Sequence, residues 1–195
     1  MHKGRLEAFS DGVIAIIITI MVLKLKTPHR TELAELLKLA PVFLGYVLSF
    51  VFVGIYWNNH HHLLQVSRRV NGKILWANLH VLFWLSLIPF VSGWMGETSF
   101  SLYPVLGYGL VLLMSNIAFS ILVVTLKGHH SSDSPLAQAV KDNRKQYLSL
   151  LINVAALPLS LVHPVISLAL YVVIALIWLV PDRRMEKVCS EHGTP

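Results

Sequence analysis

The stretch RLEAFSDGVIAIIITIMVLKLK, residues 5–26, sets Ser10 and Asp11 ahead of a run that is otherwise almost wholly apolar. Serine and aspartate are good helix N-caps, so the helix could begin at Gly12. From Gly12 to Lys26 there are 15 residues, about 22 Å of helix, too short for a hydrocarbon layer about 30 Å thick. Starting near Lys3 instead gives 24 residues, about 36 Å, which spans. Asp11 then lies inside a membrane helix, where a charged residue at the centre costs about 2.5–3.5 kcal/mol. Residues that costly face a protein interior or an aqueous cavity and find partners there. The reading is a buried polar network rather than a plain cap.

Composition supports the membrane setting. The 195 residues are 55% hydrophobic and 13% charged, with a mean hydropathy of +0.64, whereas a soluble domain carries about 25% charged residues. A chain this short cannot hide that deficit in a core. The net charge of +6 needs no nucleic acid, because loop lysines and arginines that set topology account for it. The one cysteine, Cys189, excludes an intrachain disulfide and is not placed as a prenylation signal requires. No cleavable signal peptide is evident, since the first apolar run is long and ends in KLK.

Apolar runs lie near residues 4–25, 37–57, 74–95 and 102–126, and a longer one from 147 to 180 is broken by His163-Pro164. Proline removes a backbone donor and disfavours helix just before it, so a tight turn there divides the run into two short helices. The expectation is an all-α integral membrane protein of six transmembrane helices, a single domain over residues 1–195. With both termini cytoplasmic, the inner segments carry twelve basic residues: Lys3, Arg5, Arg68, Arg69, Lys73, Lys127, Lys141, Arg144, Lys145, Arg183, Arg184 and Lys187. The outer segments carry four, Lys24, Lys26, Arg30 and Lys38. That is the asymmetry of cytoplasmic loops. The connection around residues 127–146, with GHHSSDSP, reads as a flexible cytoplasmic loop.

In this topology two polar clusters reach the depth of Asp11: YWNNHHH (residues 56–62), ending span two, and WANLH (residues 76–80), opening span three. Arg5, on the same helix as Asp11, is a further candidate partner.

These residues resemble a known family. The R-x-x-x-F-S-D pattern of Arg5, Phe9, Ser10 and Asp11 is similar to the signature opening the first helix of the transmembrane protein 175 family. YWNNHH (residues 56–61) resembles that family's tryptophan-and-histidine end of helix two. LWANL (residues 75–79) with IPF (residues 88–90) resembles its helix three. The specific motifs cover the first half of the chain; the second half matches only in hydropathy. The family comprises potassium-permeable channels of endosomes and lysosomes, with shorter prokaryotic relatives of about this length. The resemblance implies a homotetrameric cation channel in the cell membrane, passing K+ in preference to Na+, with helix one lining the pore. It also implies an apolar constriction in place of a carbonyl filter. Carried onto this chain, the constriction falls on Ile16, with Thr19, Ile20 and Leu23 facing the same axis. The F-S-D residues then hold the helices together behind the pore, with Arg5, Trp57, His60 or His61, and Asn78 as partners.

The residues alone do not select that pore face. Ile16, Ile20 and Leu23 form one helical stripe with Thr19, but every face of a lipid-facing helix is apolar. The Thr19 hydroxyl has an ordinary alternative, a bond back to the Ala15 carbonyl.

VLGYG (residues 105–109) looks like a carbonyl filter, but its glycines fall within a continuous apolar run and read as helix-packing residues. His60, His61 and His62 are consecutive, so they diverge on a helix and do not chelate a metal. No nucleophile–base pair, phosphate loop or nucleic-acid motif is present, which disfavours a membrane enzyme with its histidines at the cytoplasmic face. No cofactor is expected, with K+ as permeant ion. The competing reading is a proton-coupled secondary transporter using Asp11 and the histidines as a relay, although no paired broken helices support it.

Overall fold

The computed structural model describes residues 3–28, 31–65, 67, 70–128 and 144–179. Most of the loop around residues 127–146, the tail with Cys189, and the topology residues Arg30, Arg68, Arg69, Lys141, Arg183, Arg184 and Lys187 lie outside the described residues.

The described chain is helical throughout its regular structure. It runs α1 (Lys3–Leu23), α2 (Leu33–Lys38), α3 (Ala40–Gln65), α4 (Gly72–Ser86), α5 (Ile88–Glu97), α6 (Leu102–Lys127), α7 (Arg144–Val162) and α8 (Pro164–Leu179). Five segments are long and apolar enough to cross a bilayer: α1, α3, α4 with α5, α6 and α7. The sixth expected span is α8, whose 16 residues give about 24 Å.

The first helix begins at Lys3, so Ser10 and Asp11 sit inside it, as the length argument requires. The break expected at His163-Pro164 is present, with His163 alone outside helix between α7 and α8. The third span, read as continuous, is divided at Leu87. Pro89 causes this: it has no N–H for the Leu85 carbonyl, and its ring crowds the turn before it.

Hydrocarbon solvent supplies no hydrophobic drive between helices, so association relies on close packing and small interface residues. The glycines show where this happens. VLGYG lies within α6 as uninterrupted helix; a side chain at Gly109 would overlap Tyr171, and one at Gly107 would press on Trp94. Packing, not ion binding, accounts for both. At Gly96 the backbone of α5 comes close to that of α3, where a Cβ would stand 2.6 Å from the Cα of Val42. Main chain cannot step aside as a rotamer can. Gly96→Ala is therefore expected to part the α3–α5 contact and cost about 2 kcal/mol. Thermal unfolding in detergent checks this, with Gly54→Ala as control: a Cβ at Gly54 meets nothing within 4 Å, so that variant should match or exceed the parent.

Within the bundle α1 packs on α3, α4 and α5, α4 pairs with α6, and α7 and α8 pack together against α6. Leu6, Ser10, Ile14, Ile17 and Met21 form the buried stripe of α1, at spacings of three and four that keep one face toward the chain's own helices.

Candidate functional site

Two sets of polar contacts fix the N-terminal half of α1. The first runs along α3, whose chain direction opposes that of α1. Lys3 Nζ donates to the Gln65 carbonyl at 2.8 Å. Four residues on, Glu7 Oε1 stands 3.2 Å from His61 Nδ1. Four further, Asp11 Oδ1 accepts from the Trp57 indole N–H at 3.1 Å. Each step of four forward on α1 meets a step of four backward on α3, so one helical stripe on each carries the whole ladder. His61 also stacks on Trp57, with ring centroids 6.0 Å apart.

The second set is buried and reaches α4. His60 Nε2 and Asn78 Oδ1 are 2.6 Å apart. Asn78 Nδ2 donates to Ser10 Oγ at 2.9 Å, and Ser10 Oγ donates to the Leu6 carbonyl at 2.8 Å. Ser10 and Asn78 are fully buried and His60 is 1% exposed. Because Asn78 Oδ1 can only accept, Nε2 is the protonated nitrogen of His60. Every hydrogen in the chain points the same way, from His60 through Asn78 and Ser10 to Leu6.

The structure thus joins Ser10, Asn78 and His60 in one network, and Asp11 with Trp57 and Glu7 with His61 in the other. Arg5 joins neither: it is exposed on the opposite side of α1 and has no partner among the described residues. Phe9 is half exposed and makes no part of the polar contacts. The consecutive histidines do diverge, His60 toward Asn78 and His61 toward Glu7. The matched pattern Lys3-Glu7-Asp11 and Trp57-His61-Gln65 was missed in the sequence. Its signal was there in Glu7 and Asp11 four apart and Trp57 and His61 four apart, whereas the third rung uses the main-chain carbonyl of Gln65 and left none on α3.

The buried set and the Asp11 contact hold α1 to its neighbours. The link between His60 and Ser10 is a carboxamide, which has no titratable proton to hand on, and the Asp11 partner is an indole that only donates.

Beyond the network, α1 shows its outer face. Ile16 is 60% exposed, Leu23 75%, and Ile20 and Thr19 are also exposed. The Thr19 hydroxyl donates to the Ala15 carbonyl at 2.9 Å, so its oxygen keeps acceptor capacity on the outward side. Arg5, Gly12, Ile16, Thr19 and Leu23 make one stripe opposite the buried one. Beyond the C-terminal end of α1 Lys26 pairs with Glu97 at 3.0 Å, and the Lys24 stem passes over Gly93.

Residues 5–89 match the family described as endosomal/lysosomal potassium channel TMEM175. A protein of Chryseobacterium sp. (strain P1-3) named as a potassium channel is 50% identical over 192 residues, 98% of this chain and all of that one. A Danio rerio protein named endosomal/lysosomal proton channel TMEM175 is 37% identical over 81 residues, covering 35% of this chain and 16% of the relative. Among solved structures, the lysosomal potassium-selective channel TMEM175 homolog from Chamaesiphon minutus superposes with a TM-score of 0.79. It is 25% identical, and the match covers 93% of this chain and 97% of that one. The matched segment contains every residue that fastens α1 to α3 and α4 except Lys3, and the likeness extends in sequence and in fold over almost the whole chain: it belongs to the TMEM175 family of ion channels.

Proposed function

We propose that this chain forms a homotetrameric, potassium-permeable channel in the cell membrane, with both termini cytoplasmic and α1 around the central axis. The observation that carries the reading is the asymmetry of α1. One face is packed and bonded to its own chain, while the other is exposed and includes Thr19, Gly12 and Arg5. Gly12 and Thr19 set a gap and a hydroxyl oxygen with free acceptor capacity into that otherwise apolar face, which suits close approach of helices and contact with an ion better than lipid alone. Four copies placed with that face inward put Ile16, Ile20 and Leu23 around a narrow apolar neck, with Thr19 as its polar layer. An apolar neck closes by expelling water and conducts when it widens. In the widened state Thr19 oxygens replace part of an ion's hydration shell.

The full-length bacterial relative carries a potassium-channel name, whereas the proton-channel name belongs to a protein sharing 16% of its length with this chain. The carboxamide interruption between His60 and Ser10 also disfavours a proton-coupled carrier.

The test is current across a planar bilayer holding the purified protein, with potassium on one side and sodium on the other. Discrete steps reversing toward the potassium equilibrium potential are expected, and a pH gradient at equal potassium should leave the reversal near zero. A reversal that follows the pH gradient would overturn the potassium reading.

A further inference from the structure

Behind α3, on the side away from the α1 anchor, α3, α6, α7 and α8 line a partly open cavity of about 40 Å3. Its polar lining is Tyr56, Asn59, Asn116, Gln146 and Asn153, set among aromatic walls that include Trp178. Among the described residues, no charged side chain lines it. Some of these groups are held in place: Gln146 Nε2 donates to Ser120 Oγ at 2.6 Å, Asn59 Nδ2 to the Ile55 carbonyl at 2.8 Å, and the Trp178 N–H to Ser149 Oγ at 2.7 Å. Asn153 differs. It is 3% exposed, lines the cavity, and its Oδ1 is buried with no hydrogen-bond partner.

An unpaired buried carboxamide oxygen costs about 1–3 kcal/mol. Asn153 Oδ1 is therefore costly inside the membrane bundle unless something in the cavity answers it. A cavity needs about 10–15 Å3 on this measure to hold one water, and a buried water wants two to four polar partners. This one has room for about three. The neutral lining supplies no charge to compensate an ion in low dielectric, so an uncharged hydrogen-bond donor is the less costly occupant.

We propose that this cavity is a water-binding site within each protomer, anchored by Asn153 Oδ1 and separate from any pathway along α1. Its occupant is a neutral donor, water, that ties the α7–α8 pair to the same turns of α3 whose other side holds α1. The inference does not depend on what α1 conducts.

Radiolytic hydroxyl labelling tests it, because water fixed at a site labels its neighbours even when a scavenger quenches radicals in bulk. In lipid nanodiscs with scavenger, Tyr56 and Trp178 should label several-fold faster than Tyr108. Tyr108 is fully buried, bonded to Ser49, and absent from the cavity. Asn153→Leu should reduce that labelling several-fold, and Asn153→Ser, which keeps an oxygen, should retain most of it. Labelling of Tyr56 and Trp178 at the Tyr108 rate would show a dry cavity and overturn the proposal. Labelling that ignores Asn153→Leu would overturn the anchor. The wild-type comparison needs no variant, so it decides the case even if Asn153→Leu fails to insert.

Discussion

Asn78→Leu is expected to lower the thermal midpoint by about 10 °C and to strip most folded protein from the membrane. The substitution keeps the volume and removes both hydrogen bonds, to His60 and from Asn78 to Ser10. One interhelical hydrogen bond in a membrane protein is worth only about 0.6 kcal/mol on average, so the lost bonds alone would not do this. The penalty comes from the groups left behind. His60 Nδ1 is already buried without a partner, and the variant would strand Nε2 as well. Ser10 Oγ would lose its donor at a fully buried position. Stranded buried polar groups cost about 1–3 kcal/mol each, so the sum is about 3–4 kcal/mol. In a chain of this size each kcal/mol moves the midpoint by about 2–4 °C. Detergent melting of the purified protein checks the shift, with Phe9→Ala at a half-exposed position as comparison. A midpoint within about 2 °C of the parent would mean that the network contributes no more than a surface contact.

Ile16→Ala is expected to raise unitary potassium conductance about tenfold while weakening selectivity. The proposed neck is a ring of four such side chains, and each shortened side chain admits water that the isoleucine excludes. Lowering the entry barrier by about 1.4 kcal/mol suffices for a tenfold change in rate. Assembly should be preserved, because Ile16 is 60% exposed and packs on nothing that holds the protomer together. Ala15→Val, one residue away, should change conductance far less. Single-channel recording under potassium on both sides reads the effect. Unchanged conductance in Ile16→Ala would move the neck away from this residue and leave Thr19 or Leu23 to be tested in its place.

Much of the architecture was legible because it follows from lengths and from proline chemistry. The start of α1 at Lys3 follows from the number of residues needed to cross the hydrocarbon layer. The break at His163 follows from Pro164. The Leu87 break was legible in principle, since Pro89 stands two residues on, but the apolar run continues through it without interruption and hides it. For the polar anchor, the sequence identified the depth and the candidates but left His60 and His61 as alternatives. They are neighbours in the chain, and only the helix rotation separates them, sending one to Asn78 and the other to Glu7. The expectation that Arg5 joins this network within the chain was overtaken by the same rotation, which carries it to the outward face.

The sequence by itself determined the membrane class, the helical segments, the depth of the Ser-Asp pair and the family signature, because each depends on local composition, length or an ordered motif. Only the tertiary structure decided which face of α1 is buried, that its polar residues pair with α3 in opposed steps of four, and that Asn153 opens onto a shared cavity. In a soluble helix the apolar stripe announces the inward face. In a membrane helix both faces are apolar, so facing is set by which polar groups and glycines meet across the bundle, and those partners stand up to 68 residues apart in the chain.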